Sequence, residues 1–250
     1  MRIDTTLIPS SSHLQDLVSQ SVVVIDVLRA TSVMVQALSG GVKEIFPVTT
    51  VEEAFRLAKS FPLETRLLGG ERESLKVAGF DLGNSPREYI TARVRGKSLV
   101  LTTTNGTKAF RVVSSGKTIL VGSFLNVSAV AQRCLHQEAD VLLYASGDEG
   151  GLSLEDTVCG GMIIDRLIHL GKAPIELTDA SQMALVAYQR FQRDLMEPMR
   201  LSRRGRILIQ LGLGEDLPFC AQTDTTVLVP MFKDGVVRIW EKTNQEKITE

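Results

Sequence analysis

The stretch Val22-Val23-Val24-Ile25-Asp26-Val27-Leu28-Arg29-Ala30-Thr31-Ser32 decides the fold. Its β-branched opening reads as a buried strand over Val22–Leu28, and the residues that follow open a helix over Thr31–Leu38. An aspartate emerging from four apolar residues is costly inside a strand but tolerable at its exit, where it can pair with Arg29 or hold a metal. The expected unit is a strand, a chemically loaded turn and a helix.

The same alternation recurs along the chain. Strand-like runs occupy Glu44–Val48, Arg66–Gly69, Ser98–Thr102, Thr118–Gly122 and Val141–Ala145, each bounded by turn residues. Between and after them, helical spacing marks Thr50–Lys59, Thr107–Ser114, Val127–His136, Asp156–Leu170 and Asp179–Met196. Thr50 and Glu53 form a capping-box pattern, with Ala54, Leu57 and Ala58 on one face. Val227–Val229 and Val236–Ile239 read as a closing β-hairpin around Lys233-Asp234-Gly235. The fold class is therefore α/β, a mixed, mainly parallel sheet with helices on both faces, and ligands are expected outside the carboxyl ends of its strands. No low-complexity linker divides the chain, so residues 1–250 are taken as a single domain. Val24–Ser32 and Val100–Thr107 share a strand-turn-helix chemistry, which is compatible with two related halves but marks no boundary.

Composition narrows the function. A chain of 250 residues, 44% hydrophobic and 23% charged, can bury a sizeable core without disulfide or metal staples. Lys plus Arg (28) against Asp plus Glu (29) leaves a net charge of -1, so nothing global attracts nucleic acid or an anionic membrane. Any anion site must be local. The apolar run around Asp26 falls far short of the ~20 residues that span a bilayer. Met1–Ile8 carries Asp4 and lacks a long apolar core, so a cytosolic address is expected. Cys134, Cys159 and Cys220, with His13, His136 and His169, lack zinc or disulfide spacing. Cys159 also fails the C-x5-R pattern of cysteine phosphatases, because Asp165 stands where the arginine is required. The basic run Arg200–Arg206, with only the distant Trp240 as aromatic company, reads as a solvated helix face. A homo-oligomer is left open.

Several other turns can carry chemistry. Thr102–Thr107 sets hydroxyls, Asn105 and Gly106 before a helix, a pattern suited to an anion cradle or, more blandly, to an N-cap. Gly69-Gly70-Glu71-Arg72 repeats glycine, carboxylate and arginine at a strand's end, where the plain alternative is a solvated turn. Gly79–Pro86 joins Asp81 to Asn84, Ser85 and a proline suited to a first helical position. Glu155-Asp156 opens a helix containing Cys159-Gly160-Gly161, whose paired glycines suggest close helix packing. Carboxylates at several strand exits could also build a hard-cation site, for which magnesium suits.

Taken together, these motifs resemble the 2-phosphosulfolactate phosphatase (ComB-like) family. Its ordered pattern of Asp-Val-Leu-Arg-Ala-Thr, Gly-Glu-Arg, Gly-Phe-Asp-x-Gly-Asn-Ser-Pro, Thr-Thr-Asn-Gly-Thr and Glu-Asp is met here by Asp26–Thr31, Gly70–Arg72, Gly79–Pro86, Thr103–Thr107 and Glu155-Asp156. Asn126 and Cys220 are also in place. The resemblance implies a ComB-like three-layer α/β/α fold and Mg²⁺-dependent hydrolysis of 2-phospho-3-sulfolactate to 3-sulfolactate and phosphate. On that footing Asp26, with Asp81, Glu155 or Asp156, is expected to hold Mg²⁺. Arg29 and Arg72 grip anions, and Glu71 or Asp26 activates water. Thr31, Ser32, Asn84, Ser85, Thr104, Asn105, Gly106, Thr107 and Asn126 are the expected substrate contacts.

Rival readings fare worse on residues. A haloacid-dehalogenase-type phosphatase wants a second aspartate two positions after Asp26, where Leu28 stands. A P-loop ending at Ser115-Gly116-Lys117-Thr118 has Arg111 in place of the required glycine. A phosphatase for another small phosphorylated hydroxy acid, or a non-catalytic sensor of such a metabolite, remains the alternative.

Overall fold

The computed structural model describes residues 1–9 and 17–239, so His13 and Trp240 lie outside the described residues. Its strands are β1 (Arg2–Thr6), β2 (Ser21–Ile25), β3 (Glu44–Val48), β4 (Arg66–Arg72), β5 (Leu75–Lys76), β6 (Ser98–Thr102), β7 (Thr118–Gly122), β8 (Val141–Ala145), β9 (Glu176–Leu177), β10 (Pro230–Lys233) and β11 (Val236–Ile239). The helices are α1 (Ala30–Ser39), α2 (Val51–Ala58), α3 (Thr91–Val94), α4 (Gly106–Val112), α5 (Val127–His136), α6 (Leu154–Leu170), α7 (Asp179–Phe191), α8 (Met196–Leu201), α9 (Arg203–Gln210) and α10 (Asp216–Cys220).

All the strands join one sheet in the order β5-β4-β6-β3-β11-β10-β7-β2-β8-β1-β9. Two parallel blocks, β4-β6-β3 and β7-β2-β8-β1-β9, are joined by the β10–β11 hairpin, antiparallel to both neighbours. The mixed, mainly parallel sheet with helices on both faces is as the sequence leads one to expect. β2, β6, β7 and β8 are buried at every position, as strands covered on both faces must be.

The period of two in the strands sorts side chains between layers. Val22 and Val24 of β2 join Ile45, Leu67, Leu99 and Leu101 of the other block around α1 and α4, in one apolar cluster that runs under both blocks. Val23 and Ile25 point the opposite way, into a cluster with α5, α6 and α7. On that second face α2 covers the smaller block through Ala54, Ala58, Leu68 and Val100. Each such fully buried aliphatic side chain contributes about 1.5–3 kcal/mol.

Local chemistry sets the element ends. Thr50 caps α2 by accepting from Glu53 N at 3.0 Å, but the Glu53 carboxylate turns to Thr49 rather than back to Thr50. Ser153 caps α6 through Asp156 N, and the acids of the first turn complement the helix dipole. Of the paired glycines of α6, Gly161 serves close packing, since a Cβ there would overlap the Ala184 carbonyl of α7, whereas one at Gly160 would meet only Ile25 and Leu143 at 3.7 and 3.8 Å, ordinary contact distances.

Several boundaries differ from expectation, among them the end of β4, which runs to Arg72 rather than Gly69 because Glu71 and Arg72 pair with β5. β2 stops at Ile25, so Asp26–Leu28 belongs to the turn, where the aspartate's polar atoms find N–H partners. The helix expected over Asp179–Met196 ends at Phe191, and a new one starts at Met196. The first hairpin strand is Pro230–Lys233 rather than Val227–Val229. The first residues of the chain form β1, paired with β8 and β9, which the strong patterns elsewhere overshadow.

Candidate active site

β4 and β6 run parallel up to Gly70 opposite Thr102; β6 ends there, while β4 continues through Glu71 into its pairing with β5, which sets Glu71 beside the Thr103–Asn105 segment. The turn after β2 meets them from the larger block. A cleft at this junction is lined by Asp26, Leu28, Arg29, Glu71, Ser74, Asn84, Thr103, Thr104, Asn105 and Arg204. Ligands of open α/β sheets are expected at such carboxyl ends.

Asp26 sits at the centre of the junction. Its Oδ1 accepts from Ala30 N at 3.0 Å, fixing the carboxylate over the first turn of α1. Gly106, at the start of α4, is packed so closely that a Cβ there would stand 2.7 Å from Asp26 Oδ2 and 2.5 Å from Ala30 Cβ. The close approach that glycine allows is thus to Asp26 itself. Burial raises the Asp26 carboxyl to about 6, with Glu71 and Asp148 adding to the effect and the Ala30 bond and Arg204 opposing it.

Glu71 holds two segments at once. Its Oε1 accepts from Thr104 N at 2.7 Å, and its Oε2 from Ser74 N at 2.9 Å and Thr104 Oγ1 at 3.2 Å. The cradle expected at Thr102–Thr107 is therefore filled in part by the protein, since Thr107 N also donates to Thr103 Oγ1. Asn84 is different. It is 5% exposed, lines the cleft, and its buried Oδ1 has no hydrogen-bond partner.

Arg29 lines the cleft with its charge already matched. It donates to Asp216 Oδ2 at 2.7 Å and to the Ser74 carbonyl at 2.7 Å, and both members of the ion pair are 3% exposed. Asp216 also accepts from Ser85 Oγ at 2.5 Å, so Ser85 locks α10 to the loop before Pro86 instead of capping a helix. The leucine–arginine peptide at Leu28–Arg29 is cis.

Other expected site residues serve the frame. Arg72 donates to the carbonyls of Glu71 and Thr49 and to Thr102 Oγ1, tying three strand ends together. Thr31 and Ser32 are fully buried, with their hydroxyls donating to the Asp26 and Val27 carbonyls. The Thr107 hydroxyl likewise turns back to the Thr103 carbonyl. Asn126 is fully buried between the Val121 and Leu228 carbonyls, where it anchors the segment leading to β10. Asp81 is exposed, and its Oδ2 accepts from Leu68 N at 2.8 Å.

Glu155 and Asp156 stand behind the Asp26 turn. Asp156 Oδ1 accepts from Val27 N at 2.8 Å, so it braces the loop from the α6 side. Burial lifts Glu155 to about 7, with the Asp26 charge adding to the rise and the Ser202 and Ser153 hydroxyls opposing it. Asp156 is pushed well above the usual carboxylate range by burial and by the charges of Glu155 and Asp26.

Ser74 and Arg204 of the cleft lining, and Asp148, which pairs with Arg204 outside it, escaped sequence reasoning. Arg204 of α9 donates from one terminal nitrogen to Ser74 Oγ at 2.9 Å and pairs through the other with Asp148, which Arg203 also contacts at 2.6 Å. The signal was the Arg200–Arg206 run, whose partly buried member is not apparent from composition. Asp148 lay in the glycine-rich Ser146–Gly151 turn, which offered no clue to its partner.

Mg²⁺, which the resemblance implies, wants oxygen donors and often keeps several waters, with one or two carboxylates and substrate phosphate. Among the described residues no group of three or more His, Cys, Asp or Glu converges into a protein cage. The cleft nonetheless gathers Asp26, Glu71 and the bare Asn84 Oδ1, a hard-oxygen set that fits such a partly hydrated ion.

A family model described as 2-phosphosulpholactate phosphatase matches residues 6–235. A relative from Caldanaerobacter subterraneus subsp. tengcongensis, named probable 2-phosphosulfolactate phosphatase, is 42% identical over 224 residues, covering 90% of this chain and 92% of its own. Relatives of the same name from Symbiobacterium thermophilum and Clostridium acetobutylicum are each 38% identical, covering 91% and 95% of this chain and 97% and 100% of their own.

Proposed function

We propose that this chain, which belongs to the 2-phosphosulfolactate phosphatase family, hydrolyses the phosphate ester of 2-phospho-3-sulfolactate to 3-sulfolactate and phosphate in the Asp26–Glu71 cleft. The observation that carries the reading is the convergence of Asp26, Glu71, Asn84 and Thr103–Asn105, motifs scattered over some eighty residues of sequence, on one small polar cleft.

Charge decides what such a cleft requires. Asp26 and Glu71 oppose a substrate bearing phosphate, carboxylate and sulfonate, while Arg29 is matched by Asp216. Asp26, Glu71 and Asn84 would hold Mg²⁺, which when bound supplies the positive charge that phosphoryl transfer needs. Glu71, fixed by three donors, keeps Thr104 and Ser74 in place. The proton of the attacking water would fall to Asp26, whose carboxylate is fixed over the cleft by Ala30 N. Asn84 and Asn105 line the cleft where the ester would sit. Among the described residues, Leu28 is the one apolar side chain in the cleft lining.

The partner implied is a small anionic phosphoester, met in the cytosol. No helix among the described residues is long and apolar enough to cross a membrane. Phosphate release from 2-phospho-3-sulfolactate, beside other small phosphorylated hydroxy acids and with and without Mg²⁺, tests the reading. Fastest Mg²⁺-dependent release from the sulfonated ester is expected. Tight binding with no release from any ester would replace the enzyme by a sensor.

A further inference from the structure

A substrate with three acid groups asks for more than a reacting centre. Two arginines stand beside the acidic motifs in sequence, but Arg29 is neutralised by Asp216, and Arg72 is tied to carbonyls and a hydroxyl outside the cleft lining. Arg204 reaches the cleft from α9, far along the chain.

Its surroundings make it a prepared receptor. The side chain is 13% exposed, braced by Ser74 Oγ on the β4–β5 turn and by Asp148 on the loop after β8. Asp148, 6% exposed, divides its charge between Arg204 and Arg203, while Arg203 also pairs with the exposed Glu149 at 2.7 Å. A guanidinium has five N–H donors, so these two acceptors leave Arg204 others to offer. Holding the fork on two sides lowers the ordering cost of gripping an anion.

We propose that Arg204 receives one of the non-reacting acid groups of the substrate, its carboxylate or its sulfonate, and so selects the ester, with Asp148 as a positioning residue. This rests on the phosphatase reading above. Arg204 contacts the group that stays on the product, while the phosphoryl group is handled at Asp26.

Steady-state kinetics of Arg204→Met on three esters test it: 2-phospho-3-sulfolactate, 2-phospholactate, which lacks the sulfonate, and the phosphate ester of 2-hydroxyethanesulfonate, which lacks the carboxylate. On the full ester, KM is expected to rise about 10- to 100-fold with kcat little changed, the size of a lost hydrogen bond between charged groups. The same rise is expected on one analogue and less than about threefold on the other, which names the acid held. Asp148→Asn is expected to give a smaller rise with the same preference between analogues. An equal penalty on both analogues, or a fall in kcat with KM unmoved, overturns the proposal. Arg204→Lys keeps the charge without the fork and is read in the same way should the Met variant not fold. A KM unchanged in that variant also overturns it. If the wild type releases phosphate from none of the esters, the phosphatase reading fails on its own. Calorimetric binding of the three esters then still reads Arg204, with a loss of affinity selective for one acid supporting it and unchanged affinity overturning it.

Discussion

The carboxylates in front of the Asp26 turn and those behind it are almost equally buried, yet the protein treats them differently. Asp26 and Glu71, 7% and 5% exposed, line a cleft beside a bare amide oxygen. Glu155 and Asp156, each 3% exposed, sit at the start of α6 among serine hydroxyls and the Val27 N–H. Burial alone does not separate a working acid from a bracing one. The neighbouring atoms do: the front pair lines an opening toward a ligand, whereas behind it Asp156 braces Val27 N and Glu155 keeps one oxygen, Oε2, buried without a partner and away from the cleft lining.

Removing the front charge is the strongest way to test that contrast. Asp26→Asn keeps the shape but cannot take a proton, and activity is expected to fall by about 10³-fold or more, with the melting temperature held or raised. Phosphate release and thermal melting measure the two effects. Trapping with labelled ester adds a further reading, because a labelled phosphoenzyme that persists in this variant excludes a covalent role for Asp26.

Displacing the same carboxylate without changing its charge comes next. In Gly106→Ala the new methyl must push aside Ala30 or Asp26 Oδ2. A misplacement of this kind is expected to cost about 10²-fold in kcat/KM and about 1–3 kcal/mol of stability, read by kinetics and denaturant unfolding.

The rear pair is expected to show itself in stability rather than rate. Glu155 titrates near 4.5 when unfolded and at about 7 when folded, so between those values the folded state binds more protons. Its contribution therefore favours folding most below the unfolded value and is lost as pH rises toward 7. Glu155→Gln removes that loss: melting near pH 5 is expected to change little, while at pH 8 without divalent ions the variant gains several degrees over the wild type, about 2–4 °C for each kcal/mol. Melting curves at the two pH values decide it, and a variant destabilised equally at both would make Glu155 a hydrogen-bonding residue only.

Asp81 should give the smallest effect. It is exposed and bonds Leu68 N away from the cleft, so Asp81→Asn is expected to change kcat/KM by less than about threefold and stability by about 1 kcal/mol. A large loss of Mg²⁺-dependent activity would move the ion toward Asp81.

The central strands and the helices that follow them were readable because periodicity is local, while short elements such as β1, β5, β9, α8 and α10 were not. Val22–Ile25 alternates between two cores, and Thr50 and Ser153 cap the helices that follow them. The placement of the β10–β11 hairpin between the two parallel blocks was not readable, since register across the chain leaves no mark on neighbouring residues. The site divides in the same way. Asp26, Glu71 and Asn105 announced themselves as polar residues near strand exits and Asn84 as part of the Gly79–Pro86 motif, and all four do meet in the cleft. Thr31, Ser32, Thr107 and Asn126 looked alike in sequence but satisfy backbone groups nearby, a choice fixed by rotamer and packing. Arg204 was missed because an arginine in a basic helix gives no sign of the loop it will face.

The hairpin that closes the gap between the blocks follows every other described strand in the sequence. Until Pro230–Ile239 has left the ribosome, β3 and β7 keep bare edges able to pair with another molecule. A nascent chain stalled before this point, or a product clipped there by a protease, would carry two adhesive borders and be prone to aggregate. Closure of the sheet therefore depends on β10 and β11, the last strands among the described residues, being made and seated.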